Sequence, residues 1–225
     1  SPPTIYPTTQ LTDNPTYFTN WILPASTKVP RPIYLSGGIA HYNDRIFIFG
    51  SWYGTGLTQY HLNDGSFSDN STYFSPALSI SNGIVSGSEY LMGYGNVWTQ
   101  IGATVYLSGF DTDWIFKFEL DTLKFTRAWQ STSILPYYGI WGCMAGKDDT
   151  LYYMGGITSQ SLNPKALSIL DISSKTWSSG PNMKQSRASF GCIVSNNDKL
   201  FAIGGLYGRS NFEYISITNI QQQSW

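Results

Sequence analysis

Residues 177–225 read WSSGPNMKQSRASFGCIVSNNDKLFAIGGLYGRSNFEYISITNIQQQSW. Ten residues after Trp177 comes Arg187, then an apolar run (189–194, SFGCIV), a turn at Asn196-Asn197-Asp198, and a second apolar run (199–203, KLFAI) that ends in Gly204-Gly205. A third run, 212–217 (FEYISI), leads to a second tryptophan, Trp225. Short apolar runs bounded by Gly, Asn and Asp are the signature of strands joined by tight turns. The stretch therefore encodes a unit of four short strands.

The unit recurs. Gly50, Gly109, Gly156 and Gly205 stand at intervals of 59, 47 and 49 residues, and self-similarity at such a period marks a repeat architecture. Each glycine follows an apolar strand: residues 45–49 (RIFIF), 103–107 (ATVYL), 150–154 (TLYYM) and 199–203. Asn43-Asp44, Asp148-Asp149 and Asn196-Asn197-Asp198 precede three of them, residue types that tolerate the positive φ of hairpin turns; Ile101-Gly102 stands in that place in the second unit. Upstream lie runs rich in small residues (37–42, 139–144 and 189–194), suited to an inner strand crowded near an axis. Third strands are expected at 57–62, 114–120, 166–171 and 212–217. Fourth strands are expected around Phe67, Phe125 or Trp129, Trp177 and Trp225. Four strands per unit, repeated, predict the radial blades of a β-propeller.

The pattern resembles the Kelch repeat, most clearly over residues 137–225. The matching residues are Gly155-Gly156, Leu170-Asp171 and Trp177 in the third unit, and Arg187, Gly204-Gly205 and Trp225 in the fourth. The resemblance implies an all-β propeller of four-stranded antiparallel blades. Four blades are visible (about 36–73, 93–129, 139–177 and 188–225), with one extra N-terminal strand at 17–22. Trp21 precedes Arg31 by the interval that separates Trp177 from Arg187, so 17–22 reads as the outer strand of a preceding or closing blade of what can be a larger propeller. Residues 1–16, with four prolines, read as a Pro/Thr-rich arm, and 73–95 as an insertion between the first two blades. The glycine doublets are expected to serve backbone geometry, and the tryptophans to pack between blades.

Composition narrows the function. The chain has 225 residues, 41% hydrophobic, 16% aromatic and 12% charged, with a net charge of −1. Nucleic acids and acidic membranes select basic surfaces, so neither is an expected partner. No apolar run reaches the length of about 20 residues that spans a bilayer. Starting at Ser1, the chain is expected to be a mature or trimmed product. Cys143 and Cys192 occupy equivalent inner strands of neighbouring units. A disulfide needs Cα atoms within about 7 Å, and inner strands of separate blades are expected to lie farther apart, so two buried thiols are the expectation.

Binding residues concentrate on loops held by a rigid scaffold. Within such blades the longer connections share one face, and here they carry Trp52, Tyr53, Phe110, Asp111, Asp113, Tyr137, Tyr138, Tyr207 and Arg209. Exposed aromatics and an arginine suit protein hot spots or stacking on sugars. Most of these aromatics are expected to pack locally beneath their own loops. The histidines, His41 and His61, lie within strands and read as structural. Asp111, Asp113 and the Asp148-Asp149 pair fall short of the oxygen set calcium takes. No catalytic residue, metal or cofactor is therefore expected. Asn70-Ser71-Thr72 is a glycosylation sequon, and with the low charge it favours an extracellular or cell-surface glycoprotein. The expected function is a non-catalytic binding or assembly module for a protein or carbohydrate partner, with self-association through residues 1–22 or open blade edges. The alternatives are a cytoplasmic Kelch adaptor for protein substrates and a fragment of a copper oxidase similar to galactose oxidase.

Overall fold

The computed structural model describes residues 38–49, 57–69, 97–108, 114–130, 141–157, 165–206 and 211–225. They form four antiparallel sheets, the blades of a β-propeller, and strand order within each sheet follows chain order. Blade 1 holds β1 (Gly38–Tyr42), β2 (Arg45–Phe49), β3 (Leu57–His61) and β4 (Phe67–Asp69). Blade 2 holds β5 (Val97–Ile101), β6 (Thr104–Ser108), β7 (Trp114–Glu119) and β8 (Lys124–Gln130). Blade 3 holds β9 (Cys143–Lys147), β10 (Thr150–Met154), β11 (Leu167–Asp171) and β12 (Thr176–Gly180). Blade 4 has three strands among the described residues: β13 (Gly191–Val194), β14 (Lys199–Ile203) and β15 (Phe212–Ser216).

The turns explain the hairpins. Asn43, Gly102, Asp148 and Asp198 all have φ between 51° and 58°, the left-handed geometry that joins two strands tightly and that Asn, Asp and Gly accept most readily. At the turns between β3 and β4 and between β11 and β12 an aspartate folds back on the chain. Asp64 Oδ1 accepts from Ser66 N at 2.9 Å, and Asp171 Oδ1 from Ser174 N at 2.7 Å. Hydrogen bonds from Ser66 and Ser174 hold these two carboxyls below the usual range.

Each blade has a leading face, towards the next blade, and a trailing face, towards the one before. Side chains alternate between them along every strand. Phe47, Phe49 and Leu57 on the leading face of blade 1 pack on Val105, Leu107, Phe116 and Phe118 of blade 2. Phe47 and Phe49 both meet the Phe118 ring edge to face, at 6.5 and 5.7 Å. Val97, Tyr106 and Ile115 of blade 2 pack on Met144, Leu151, Tyr153 and Leu170 of blade 3. Tyr152, Met154, Leu167 and Ile169 of blade 3 pack on Leu200, Ala202 and Ile215 of blade 4. Among the described residues the core is thus three inter-blade layers.

The inner strands differ from the small-residue expectation. β5 carries Trp98, and the space for it comes from across the interface, because a Cβ on Gly38 would lie 2.6 Å from its ring. Ile101 fills the place a Gly146 side chain would take. Small residues are therefore paired with large ones on the neighbouring blade rather than collected on every inner strand. β9 also begins four residues later than the run 139–144 suggested, since the Asp148 turn pairs Lys147 with Thr150 and sets the strand back from there.

The expectation of two thiols is overturned. Cys143 and Cys192 form a disulfide, with Cα atoms 5.9 Å apart. β9 and β13 lie side by side where the blades converge, and Cys143 on the leading face of blade 3 meets Cys192 on the trailing face of blade 4. A second difference is at the end of blade 4. Asn219, at φ 53°, opens a 3-10 turn at Ile220–Gln222, and Trp225 follows it outside any strand. Trp225 still packs where a fourth-strand tryptophan would. It is buried beside Met183 and Ile215, and its Nε1 donates to Pro181 O at 2.8 Å. Trp177, on β12, is partly buried against the layer between blades 2 and 3. The N-terminal arm 1–16, the strand expected at 17–22, and the insertion 73–95 lie outside the described residues, and no described helix is long and apolar enough to cross a membrane.

Candidate functional site

The blades stand in the same orientation, and contacts at one end show it. Beside the hairpin turns, the His41 N–H donates to Gln100 Oε1 at 3.0 Å, and Gln100 Nε2 returns a bond to His41 O at 2.6 Å. Further round, Lys147 Nζ pairs with the Asp198 carboxylate. The connections from β2 to β3, β6 to β7, β10 to β11 and β14 to β15 therefore all leave the opposite end, as do those that follow β4 and β8. Trp52, Tyr53, Phe110, Asp111, Asp113, Tyr137, Tyr138, Tyr207, Arg209 and the sequon residue Asn70 belong to those connections, and all lie outside the described residues.

The described part of the loop end is organised around Arg187. Its side chain is fully buried, and Nε donates to Glu213 Oε1 at 2.8 Å. Nη1 donates to Gly204 O at 2.5 Å and to Asn211 O at 3.0 Å. The other carboxylate oxygen of Glu213 accepts from Lys184 N at 2.9 Å. One guanidinium thus grips both ends of the connection that carries Tyr207 and Arg209. The main chain of the same segment reaches blade 3 through Gly156 N–H to Arg187 O at 2.8 Å, and the β14–β15 connection through Leu206 N–H to Ala188 O at 2.9 Å.

The glycine doublets make this approach possible. Gly155 and Gly205 have φ of 61° and 103°, and a Cβ on either would lie 2.6 or 2.8 Å from the carbonyl of Arg187 or Ala188. A side chain there would push the clamp away from the strands. Arg187 was legible in the sequence as a spacing landmark. Its carboxylate partner Glu213 was not, because nothing in its spacing distinguishes it from surface charge. The signal available was one acidic residue inside an otherwise apolar strand, FEYIS, in a chain with few charges.

Beside the clamp is a cleft of about 770 Å³, whose lining includes Lys184, Gln185, Phe212, Tyr214 and Trp225. Arg187 Nη2 is buried at its base with no hydrogen-bond partner. The remaining sequence candidates have local roles. His41 joins blades through its backbone, and His61 Nε2 lies 3.1 Å from Ser68 Oγ across β3 and β4. Asp149 accepts from Ile172 N and from the Ser173 hydroxyl within its own blade. Among the described residues, no three His, Cys, Asp or Glu side chains gather closely enough to hold a metal ion. No model of a known protein family matches the chain, and no curated protein matches its sequence.

Proposed function

We propose that this protein is a non-catalytic binding module, a Kelch-like propeller that displays aromatic loops at one end to a protein or carbohydrate partner. The observation that carries the reading is the Arg187 clamp. A fully buried guanidinium is spent on fixing Gly204 and Asn211, the two ends of a short connection rich in Tyr, Gly, Arg and Ser. A loop held at its base presents its side chains with little ordering cost on binding. The setting is extracellular. Disulfides persist in oxidising compartments and are rare in the cytosol, and here one staples two blades near their axis. That favours a secreted or cell-surface protein, with Asn70 as its glycan site, over an intracellular adaptor.

The test compares the wild-type chain with the double variant Trp52→Ala, Tyr207→Ala on arrays of immobilised glycans and of extracellular protein domains. The expected result is a specific ligand whose retention falls by about tenfold or more in a variant that keeps the wild-type circular dichroism. Equal retention by the two proteins removes the loop end as the site. A mass that drops on glycosidase treatment of the protein from its source, and no longer does so in Asn70→Gln, supports the extracellular setting; an unchanged mass removes the glycan.

A further inference from the structure

The three inter-blade layers follow one rule: a leading face packs on a trailing face. Equivalent leading positions on the third strand are Leu57, Ile115, Leu167 and Phe212. The first three are 0%, 0% and 1% exposed, while Phe212 is 64% exposed. At the end of the second strand, Phe49 and Met154 are buried, and their counterpart Ile203 is 50% exposed. Ile193 on the inner strand is 57% exposed, and Tyr214 also faces outward. Blade 4 thus carries an apolar leading face across its three strands with nothing on it among the described residues. The face is already ordered. Phe201 and Tyr214 lie with ring centroids 5.5 Å apart, and Lys199 Nζ sits 4.6 Å over the Tyr214 ring.

The matching surface is at the other end of the array. The trailing face of blade 1 presents Ile39, Ile46 and Ile48, which share one side of β1 and β2. In blades 2, 3 and 4 the corresponding trailing positions of the second strand (Val105 and Leu107, Leu151 and Tyr153, Leu200 and Ala202) are buried by the preceding blade. In blade 1 they are half-buried, and Ile39 is 59% exposed. Were blade 4 closed on blade 1 of the same chain, β1 and β13 would cover Ile39 and Ile193. Both stay open.

We propose that the leading face of blade 4 is a docking surface for a second copy of this chain, which binds through the trailing face of its blade 1. This goes beyond the loop-display function given above. The interface repeats, between copies, the leading-on-trailing packing already made three times within the chain. It is heterologous, so it joins copies head to tail and does not pair like faces.

Two variants of the full chain test it: Phe212→Asp, which blocks blade 4, and Ile39→Asp, which blocks blade 1. Sedimentation velocity of the wild type is expected to show a mass that rises with concentration to two chains and beyond. Each variant alone is expected to stay at one chain. An equimolar mixture is expected to give two chains and no more, since only one productive pairing survives. A wild type that stays monomeric overturns the proposal, and points to closure of the ring within one chain. Self-association of Ile39→Asp alone overturns it in favour of a like-to-like contact, and a monomeric mixture overturns it outright. Hydrogen exchange on the unmodified chain gives a readout that needs no variant. Protection of β14 and β15 is expected to rise with protein concentration, and concentration-independent exchange overturns the proposal. The Trp52→Ala, Tyr207→Ala variant is expected to associate as the wild type does, so failure of the loop reading and failure of this one are separable.

Discussion

Blades 3 and 4 present leading faces built alike, and the two faces meet opposite fates. Tyr152, Met154 and Leu167 in blade 3 correspond in register to Phe201, Ile203 and Phe212 in blade 4. The blade 3 set is sealed under Leu200, Ala202 and Ile215, while the blade 4 set faces outward. Nothing in the alternation of the strands separates the two. An apolar stripe states only that a face is meant to be covered, and its burial depends on what stands opposite. The contrast extends to the outer edge. β12 covers β11 in blade 3, whereas β15 has no strand outside it among the described residues, and Arg187, Glu213 and Trp225 hold that side of blade 4 instead.

The largest effect should come from that substitute. Arg187→Ala leaves the largely buried Glu213 carboxylate without its cation and releases both ends of the β14–β15 connection. It should destabilise the fold by about 3–5 kcal/mol in urea unfolding. A smaller value would mean that blade 4 is held chiefly by its layer on blade 3. The layer itself is tested by Leu167→Ala, expected to cost about 2–5 kcal/mol by the same measurement, since the buried site opens a cavity. Next is the covalent staple between the same two blades. Replacing Cys143 and Cys192 by serine opens a link across 49 residues and should cost about 2–4 kcal/mol, and the wild type in reductant should shift its urea midpoint equally.

A pH titration sharpens the comparison further. Burial pushes the phenols of Tyr153, Tyr152 and Tyr106 above the ordinary 10.0, Tyr153 the furthest. In the folded chain they stay neutral at a pH where the unfolded chain releases their protons. Their contribution is fully present below pH 10 and is lost as pH rises from there towards the raised folded values. The melting temperature should fall beyond pH 10, and Tyr153→Phe should flatten part of that fall. The smallest effect is expected at the exposed counterpart of Leu167. Phe212→Ala, measured at a concentration where the chain is monomeric, should change stability by no more than about 0.5 kcal/mol. A cost near that of Leu167→Ala would show that the face is covered in the monomer.

The parts of the fold legible beforehand are those with short-range causes. Positive φ at Asn43, Asp148 and Asp198 follows from residue type and hairpin geometry, and the doublets at Gly155 and Gly205 follow from a close backbone approach. The parts missed depend on distances between blades. β5 was hard to see because Trp98 on an inner strand makes sense only with Gly38 opposite. The disulfide is not legible in the sequence because the separation of β9 and β13 is a property of how blades converge, which no local pattern states. Trp225 was assigned the right packing and the wrong backbone, for its burial is set by Met183 and Ile215 and does not require a ladder. Of the candidate site, the spacing of Arg187 was visible, and its grip on Gly204 and Asn211 was not.

By itself, then, the sequence determined the repeat, the antiparallel hairpins and the two-faced strands, because turn chemistry and alternation act over a few residues. Only the tertiary structure decided which positions on different blades touch. It joined Cys143 to Cys192, buried Arg187 against Glu213, and left Ile203 and Phe212 without a neighbour among the described residues. The physical reason is that packing between blades is a matter of distance and shape across the chain, and a face carries the same side chains whether or not another sheet has come to cover it.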